Sequence, residues 1–159
     1  MNILTSRFGE IEIDEQSIIS LPGGLIGFPE QERYVIISHS PDSPFFWLQA
    51  VDSQDLAFVI VDPQIFKADY EVPLTAQTLQ LLQAESRLEV GVYVIVTIPR
   101  GNPQGMTANL LGPLVLNAKS RLARQLVLDE SRYSHRHPIL RAEGQAKMQT
   151  RTGPPGNEK

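Results

Sequence analysis

The segment at residues 21–29 reads Leu21-Pro22-Gly23-Gly24-Leu25-Ile26-Gly27-Phe28-Pro29 and combines glycines and prolines with four large apolar side chains. Pro22 pre-sets φ for a tight turn and the glycines permit positive φ, while the apolar side chains supply hydrophobic area. Exposed apolar patches of this kind commonly mark interfaces. We therefore expect Leu25, Ile26 and Phe28 either to fill the core or to form part of a protein-binding surface.

Length and composition predict one soluble globular domain. The chain has 159 residues, 42% of them hydrophobic and 20% charged, which is enough to bury a sizeable core. The longest apolar run, near Val90 to Ile98, is far too short to cross a bilayer as a helix, so no membrane contact is expected. The chain has no cysteine, and residues 1–7 do not resemble a signal peptide. These features predict a cytoplasmic protein.

Charge is divided along the chain. Residues 1–90 carry 14 acidic and 4 basic side chains, whereas residues 91–159 carry 4 acidic and 10 basic ones. Nucleic-acid binding draws its affinity from cations placed on phosphates, so the acidic half argues against nucleic acid and suits a basic protein partner. The alternative is that both halves interleave in one domain and their charges only solvate it.

Short strands dominate the sequence pattern. Residues 10–14 alternate acidic and apolar side chains, which predicts a strand whose Ile11 and Ile13 point inward. Runs rich in β-branched and aromatic residues predict further strands at residues 17–21, 33–38, 45–51, 57–61 and 90–98. Turn-forming clusters separate these runs, so we expect a mainly β protein with an antiparallel barrel-like or sandwich architecture.

One short helix is predicted at about residues 75–84. Thr75 can cap its first turn, and Leu79 and Leu82 share a face at i, i+3 spacing. We expect this helix to cover one end of the barrel.

The last hairpin is predicted to consist of residues 105–117 and 121–128. The turn between them runs through Ala118-Lys119-Ser120, and Gly112-Pro113 falls inside the first strand. Because proline removes a ladder donor, that strand should be an edge, bulged or interrupted.

The chain end has a different composition from the rest. Residues 1–140 are predicted to form a single β domain, and residues 141–159 a disordered, mildly basic tail that is poor in large apolar residues. Deleting residues 145–159 is therefore expected to leave folding intact.

Acidic turn residues are the first candidates for chemistry. Asp52, Asp55, Asp62 and Asp69 could serve as an acid–base pair or as oxygen ligands for a divalent cation. They could equally be solvated turn residues that accept local hydrogen bonds, or an acidic protein-binding face. A small β-barrel enzyme or ligand-binding domain with a carboxylate site near Asp52, Asp55 and Asp62 therefore stays open as an alternative function.

Other catalytic and ligand-binding patterns are absent from the sequence. His135 and His137 would share one side of a strand, but they lack a third ligand and have Arg136 between them. The glycines of residues 23–27 match no dinucleotide or phosphate loop, and no G-x-S-x-G motif occurs. We expect no metal, cofactor or catalytic residue.

The aromatic run at residues 45–48 divides by strand alternation. Phe46 and Leu48 face one side and Trp47 the other, so one set is core and the other is either a packing surface or an interface anchor. A direct RNA-binding barrel would interleave exposed aromatics with cations, and the sequence near Phe46 and Trp47 contains no cation.

Four polar residues lie inside apolar strands and need hydrogen-bond partners: Gln49, Asn109, Asn117 and Gln125. The simplest role for them is to satisfy backbone groups in an irregular barrel.

Over roughly residues 2–140 the chain resembles the FliW family of flagellar assembly factors. The resemblance rests on spaced elements in a fixed order, namely residues 21–28, Tyr34, residues 46–49, residues 57–58, Asp62-Pro63, Tyr70, residues 92–98, residues 107–110, Gly112-Pro113, Asn117, Gln125, Tyr133 and Arg136. The resemblance implies a β-rich module without catalysis.

The family resemblance also implies partners. Members bind CsrA, a dimeric regulator that blocks translation of flagellin and other messages, and they prevent its RNA binding. They also bind flagellin, which then releases CsrA in a partner switch. We expect CsrA and flagellin as partners, no direct nucleic acid, and a monomer. The candidate partner-binding residues are Leu25, Ile26, Phe28, Trp47, Asp52, Asp55, Asp62 and Asn109.

Overall fold

The computed structural model describes residues 1–139, so the predicted tail at residues 141–159 lies outside the described residues. Within residues 1–139 the chain forms eleven β-strands and one α-helix, α1 (Ala76–Leu81). The strands are β1 (Asn2–Thr5), β2 (Gly9–Glu12), β3 (Ile19–Ser20), β4 (Arg33–Ser38), β5 (Phe45–Ala50), β6 (Ala57–Val61), β7 (Val90–Thr97), β8 (Thr107–Ala108), β9 (Leu114–Asn117), β10 (Leu122–Gln125) and β11 (His137–Pro138).

Seven of the described strands close into a barrel. Their order is β7-β6-β5-β4-β3-β10-β9, and β9 pairs back onto β7. Neighbouring strands are antiparallel, except that β3 and β10 meet in parallel through the single pair Ser20 and Leu122. The predicted mainly β, barrel-like architecture is confirmed.

Side-chain alternation sorts the apolar residues between the inside and the outside of the barrel. Tyr34, Leu48, Ile60 and Leu114 belong to one buried cluster, contributed by strands from all around the barrel, and they fill its interior. In β7 the alternate residues 92, 94 and 96 belong instead to a second cluster on the outer face. Both faces of β7 are therefore covered, which explains its unbroken apolar sequence.

Two layers cover the outside of the barrel. The β1–β2 ribbon packs Ile3 against Val35 and Val51, and Ile11 and Ile13 point into this contact as predicted. On the other side, the chain from residue 63 to 84 and the chain from residue 126 to 139 cover β6, β7 and β9. No helix among residues 1–139 has the length and apolar character needed to cross a bilayer.

The helix is shorter than predicted but begins at the expected cap, and the residue that ends it, Leu82, packs in the outer cluster. Thr75 caps it by accepting a hydrogen bond from the Thr78 N–H at 3.1 Å, and Leu82 is fully buried. The Leu82 carbonyl accepts hydrogen bonds from Asn117 Nδ2 at 3.0 Å and Ser120 Oγ at 2.7 Å. The end of the helix is thereby fastened to the β9–β10 turn.

Three predicted strands differ from the structure, and the one predicted at residues 121–128 is limited to β10. The strand predicted at residues 17–21 is reduced to β3, because Asp14 caps a 3₁₀ helix at Glu15–Ser17 and diverts the preceding chain. The first strand of the last hairpin is interrupted, as Pro113 suggested. Its β8 part pairs with β7 and β11, and its β9 part pairs with β10 and β7.

Candidate partner-binding site

The loop at residues 21–29 has a buried layer and an exposed layer. Leu21 and Leu25 are only 1% and 2% exposed and belong to the barrel interior, whereas Ile26 is 64% exposed and Phe28 41%. Gly24 has a φ of +67°, and a Cβ there would lie 2.7 Å from the Pro29 Cα. The backbone therefore folds tightly on itself, with half of its apolar side chains inside and half in solvent.

Distant parts of the chain hold the loop in place. The Gly23 N–H donates to Glu32 Oε2 at 2.8 Å, and the Ile26 N–H donates to Gln125 Oε1 at 2.8 Å. Gln125 in turn donates from Nε2 to the Gly112 carbonyl at 3.0 Å. The backbone beneath the exposed Ile26 side chain is thus fixed to β10 and to the chain that precedes β9.

Asn109 extends the hydrogen bonds of Gln125 through Gly112. Its Oδ1 accepts hydrogen bonds from the Leu111 and Gly112 N–H groups, both at 3.0 Å. A Cβ at Gly112 would lie 2.9 Å from Gln125 Nε2 and 3.1 Å from Asn109 Nδ2, so glycine lets the two amide side chains approach. Asn109 is therefore placed to support the loop from below.

Phe28 forms one wall of a small open groove. Its ring meets that of Phe58 edge to face, with 5.2 Å between the ring centroids. The groove has a volume of about 270 Å³ and runs between residues 27–31 and residues 53, 55 and 56. Glu30 and Asp55 stand exposed at its edge. We call the surface formed by Ile26, Phe28, Glu30 and Asp55 the loop face.

The β5–β6 turn that carries Asp52 and Asp55 is internally braced. The fully buried Gln49 donates from Nε2 to several carbonyls of the turn, including those of Ala50 at 3.1 Å and Leu56 at 3.2 Å. Asp55 accepts a hydrogen bond from the Ser6 hydroxyl at the tip of the β1–β2 ribbon. The turn beside the loop face is therefore fixed by both the barrel and the ribbon.

Asp52 is held in a two-pronged ion pair with Arg33. Arg33 Nε lies 3.0 Å from Asp52 Oδ2, and Arg33 Nη2 lies 2.6 Å from Oδ1. The hydrogen-bonded guanidinium keeps the pKa of the Asp52 carboxyl below its usual value. About half of each side chain is exposed, so Asp52 is a charged but already partnered group at the surface.

Asp62 lies away from the other two carboxylates. It follows the last residue of β6 and caps the 3₁₀ helix Pro63–Ile65 by accepting from the Gln64 N–H at 2.9 Å, whereas Asp55 precedes β6. At about 3.3 Å per residue, β6 holds the two turns well apart. Asp52, Asp55 and Asp62 therefore do not converge, and the carboxylate enzyme alternative loses its basis.

Histidines and carboxylates do not assemble a cation site in the described chain. No group of three or more histidine, cysteine, aspartate or glutamate side chains in residues 1–139 could hold a metal ion. His137 stacks on Phe66 with ring centroids 5.9 Å apart. Its backbone belongs to β11 and pairs with Ala108 of β8.

Trp47 lies on the outer face of β5 beneath the ribbon tip. Phe8 meets it edge to face at 6.0 Å, and the Arg7 guanidinium carbon lies 4.0 Å from its ring centroid. Phe46 and Leu48 pack into the barrel interior, so the predicted division of this run is confirmed. The sequence around Trp47 contains no cation, but the fold brings Arg7 onto the ring. Trp47 is half-buried and helps to fasten the ribbon.

The structure thus gathers some candidate residues and separates others. Phe28 and Asp55 line one groove of the loop face and Ile26 is exposed on the same loop, with Leu25 buried and Asn109 and Gln125 bracing the backbone. Trp47 and Asp62 are placed outside this surface. Sequence reasoning missed Glu32 and Ser6, because their partners lie 9 and 49 residues away and neither is unusual in its local sequence.

Comparisons with known proteins agree with the fold and its motifs. The model of the FliW protein family matches residues 2–139. The flagellar assembly factor FliW of Geobacter sulfurreducens is 44% identical over 140 residues, covering 88% of this chain and 87% of that protein. The flagellar assembly factor FliW of Treponema denticola is 41% identical over 141 residues, covering 88% and 94% respectively.

A solved structure gives the same result. A crystal structure of the flagellar assembly factor FliW matches with a TM-score of 0.81 at 33% identity, covering 90% of this chain and 99% of that one. The fold defines a class of small closed β-barrels, in which polar motif residues brace turns and loops. The chain belongs to the FliW family, and the resemblance found in its sequence is confirmed.

Proposed function

We propose that this chain is a flagellar assembly factor that acts by binding two proteins, the translational regulator CsrA and flagellin. Family membership supports the first part of this proposal. The observation that supports a binding role is the loop face, where Ile26 and Phe28 project into solvent from a backbone held by Gln125 and Glu32. Exposed apolar side chains on a fixed backbone lose little conformational entropy when a partner covers them.

The charge of the loop face suits a basic partner. Glu30 and Asp55 line the same groove as the exposed Phe28, which gives an apolar surface with acidic neighbours. Complementary charge of this kind chiefly raises the rate and fixes the orientation of encounter. CsrA must carry cations to bind RNA phosphates, so it has the complementary character.

The proposed mechanism is a partner switch in the cytoplasm. When the chain occupies CsrA, the regulator cannot hold the flagellin message, and translation proceeds. Newly made flagellin then occupies the chain and frees CsrA, which represses the message again. No cofactor and no catalytic step take part, and the chain acts as a monomer that binds protein and not RNA.

A gel-shift titration tests this function. Purified CsrA is bound to a labelled flagellin leader RNA, and the chain is added in increasing amount. We expect release of free RNA, and we expect added flagellin to reverse the release. The chain alone should leave the RNA unshifted. If CsrA stays on the RNA at a saturating concentration of this protein, the CsrA part of the proposal is wrong.

Two matched variants test whether the loop face carries the binding. Ile26→Asp places a charge at the most exposed apolar side chain of the loop face, and Leu88→Asp makes the same change at a 93% exposed residue elsewhere. Burying one large aliphatic side chain is worth about 1.5–3 kcal/mol, so Ile26→Asp should weaken partner binding about tenfold or more. Leu88→Asp should leave it unchanged. If both variants lose partner binding equally, with unchanged thermal unfolding, the loop face is not the partner-binding surface.

A further inference from the structure

Strand β7 has neighbours of unequal extent on its two sides. On one side β9 pairs with residues 90–93, and on the other side β6 pairs only with residues 94–96. Within the described chain, residues 90–93 therefore have a strand on one side alone.

Backbone alternation identifies the groups that face the open side. Successive residues of an antiparallel strand direct their N–H and C=O groups to opposite neighbours. The Ile95 carbonyl accepts from the Asn109 N–H at 2.9 Å, on the side where β8 and β9 lie. Gly91 and Tyr93 consequently face β9, and Val92 and Val94 face β6. Since β6 ends with the pair Val61 and Val94, the N–H and C=O of Val92 face no strand among residues 1–139.

Pro63 explains why β6 stops at this point. The partner of Val92 would fall at position 63, where proline has no N–H to donate. The Pro63 carbonyl is also occupied, because it accepts from the Lys67 N–H at 2.9 Å. The chain turns away into a 3₁₀ helix and leaves the edge of β7 uncovered.

The uncovered edge opens into a groove of about 630 Å³ between β7 and residues 70–74. We call this groove the β7 notch. Val72 lies on its far wall, and within residues 1–139 the Val72 backbone makes no hydrogen bond. Unpaired backbone groups along a strand edge are a template for another extended chain.

The two ends of the β7 notch differ in charge. Arg87 begins the 3₁₀ helix Arg87–Glu89 that leads into β7 and lines the Val90 end of the groove, and it forms no ion pair within the described chain. Asp62 follows Val61, the partner of Val94, and therefore lies at the other end, and Glu71 and Arg132 also line the groove. An extended chain lying there would be favoured with a carboxylate at one end and a cation at the other.

We propose that the β7 notch binds an extended peptide segment of a partner protein by strand addition. The segment runs antiparallel to β7, along the line that β6 would follow beyond Val61. Its backbone pairs with Val92, its apolar side chains alternate against the groove, and its charges run from a cation near Asp62 to a carboxylate near Arg87. Strand addition of this type draws affinity from main-chain hydrogen bonds and specificity from side-chain pockets. The notch is separate from the loop face, so its role is independent of the function proposed above.

Amide hydrogen exchange of the full-length protein tests the open edge directly. We expect the Val92 amide to exchange much faster than those of Gly91 and Tyr93, which are bonded to β9. If the Val92 amide is protected as strongly as the Tyr93 amide, the edge is not open and the proposal is wrong.

Synthetic peptides test the occupant. The probes are two blocked heptapeptides with the same composition, Lys-Thr-Val-Thr-Val-Thr-Glu and Glu-Thr-Val-Thr-Val-Thr-Lys, titrated while amide resonances are recorded. The first should shift residues 90–92, protect the Val92 amide and bind about threefold or more tightly than the second. Equal binding of both, shifts confined to other surfaces, or no binding at millimolar concentration would each overturn the proposal.

Variants of the protein complete the test. Arg87→Glu should remove the preference between the two peptides, whereas Arg100→Glu, at an exposed arginine in another turn, should retain it. Val92→Pro removes the N–H without removing a hydrogen bond within the described chain, and it should weaken the first peptide about fivefold or more. If folded Arg87→Glu keeps the preference, the assigned polarity is wrong.

Discussion

The Ile26 N–H and the Gln125 side chain lie 99 residues apart in sequence and are joined by a 2.8 Å hydrogen bond. Through this bond β10 fixes the backbone of the loop at Ile26, whose side chain is exposed to solvent. Gln125 makes a second bond to the Gly112 carbonyl at 3.0 Å, so one amide connects the loop, β10 and the chain before β9.

Replacing Gln125 should loosen the loop face without unfolding the barrel. Gln125→Ala removes two hydrogen bonds, each worth about 0.5–1.5 kcal/mol, so the free energy of unfolding should fall by about 1–3 kcal/mol. The Ile26 amide should exchange faster, and partner binding should weaken. Gln125→Glu is the matched comparison, because it keeps the acceptor for Ile26 and replaces the donor to Gly112 with an oxygen that repels the Gly112 carbonyl. Unchanged exchange at Ile26 in Gln125→Ala would contradict the assigned role.

Two neighbouring glycines should respond differently to alanine. Both have positive φ, but a Cβ at Gly23 meets nothing within 4 Å, whereas one at Gly24 runs into the backbone of Phe28 and Pro29. Gly23→Ala should cost about 1–2 kcal/mol of backbone strain. Gly24→Ala should cost about 2–5 kcal/mol, because overpacking adds to that strain. Urea unfolding measures both costs. Equal costs would show that the contact between a Cβ at Gly24 and the Phe28–Pro29 backbone adds no strain.

Tyr34 is expected to tolerate loss of its hydroxyl. The side chain is fully buried in the barrel, and its hydroxyl has no hydrogen-bond partner among the described residues. Tyr34→Phe should therefore leave the free energy of unfolding unchanged or raise it by up to about 1 kcal/mol. A loss greater than 1 kcal/mol in urea unfolding would reveal a partner for the hydroxyl.

The same tyrosine predicts a loss of stability at alkaline pH. Burial raises the pKa of Tyr34 to about 12, above its ordinary value of 10.0. The unfolded chain therefore loses this proton first, so the stabilisation present below pH 10 declines as the pH rises towards 12. Tyr34→Phe should show a shallower decline than the parent chain over this range.

The Arg33–Asp52 ion pair predicts a small effect at acid pH. Because Arg33 lowers the pKa of Asp52 in the folded chain, the pair stabilises the fold above the unfolded pKa of about 3.9. That contribution is lost as the pH falls through the lower, folded value. Since both side chains are half exposed, Asp52→Asn should cost about 0.2–1 kcal/mol at pH 7 and nothing at strongly acid pH. Asp42→Asn, at an exposed turn residue, is the control.

Local sequence patterns predicted the bounds of the strands that pair regularly with a neighbour on each side. The predicted strands at residues 33–38 and 57–61 have the bounds of β4 and β6. The pattern was less successful at residues 17–21, because a side-chain cap on Asp14 competes with strand pairing. Strand pairing depends on the whole chain, so the pattern alone left barrel and sandwich open.

The candidate site was predictable only in part. The unusual loop at residues 21–29 and the polar residues Gln49, Asn109 and Gln125 stood out because their chemistry conflicts with their setting. The separation of Asp55 from Asp62 already follows from the predicted strand at residues 57–61, whereas the contact between Arg7 and Trp47 depends on three-dimensional placement across many residues. No local pattern reports such distances.

The seam between β3 and β10 joins parts of the chain that are synthesised far apart in time. The pairing of Ser20 with Leu122 closes the barrel, and the Gln125 contact that fixes Ile26 forms at the same place. A nascent chain that has reached residue 110 contains the whole binding loop and most strands, but it lacks both of these contacts. Because non-local pairings of this kind form late, a ribosome-bound chain should not yet compete for partners. If the proposed function is correct, only nearly complete molecules would then bind a partner.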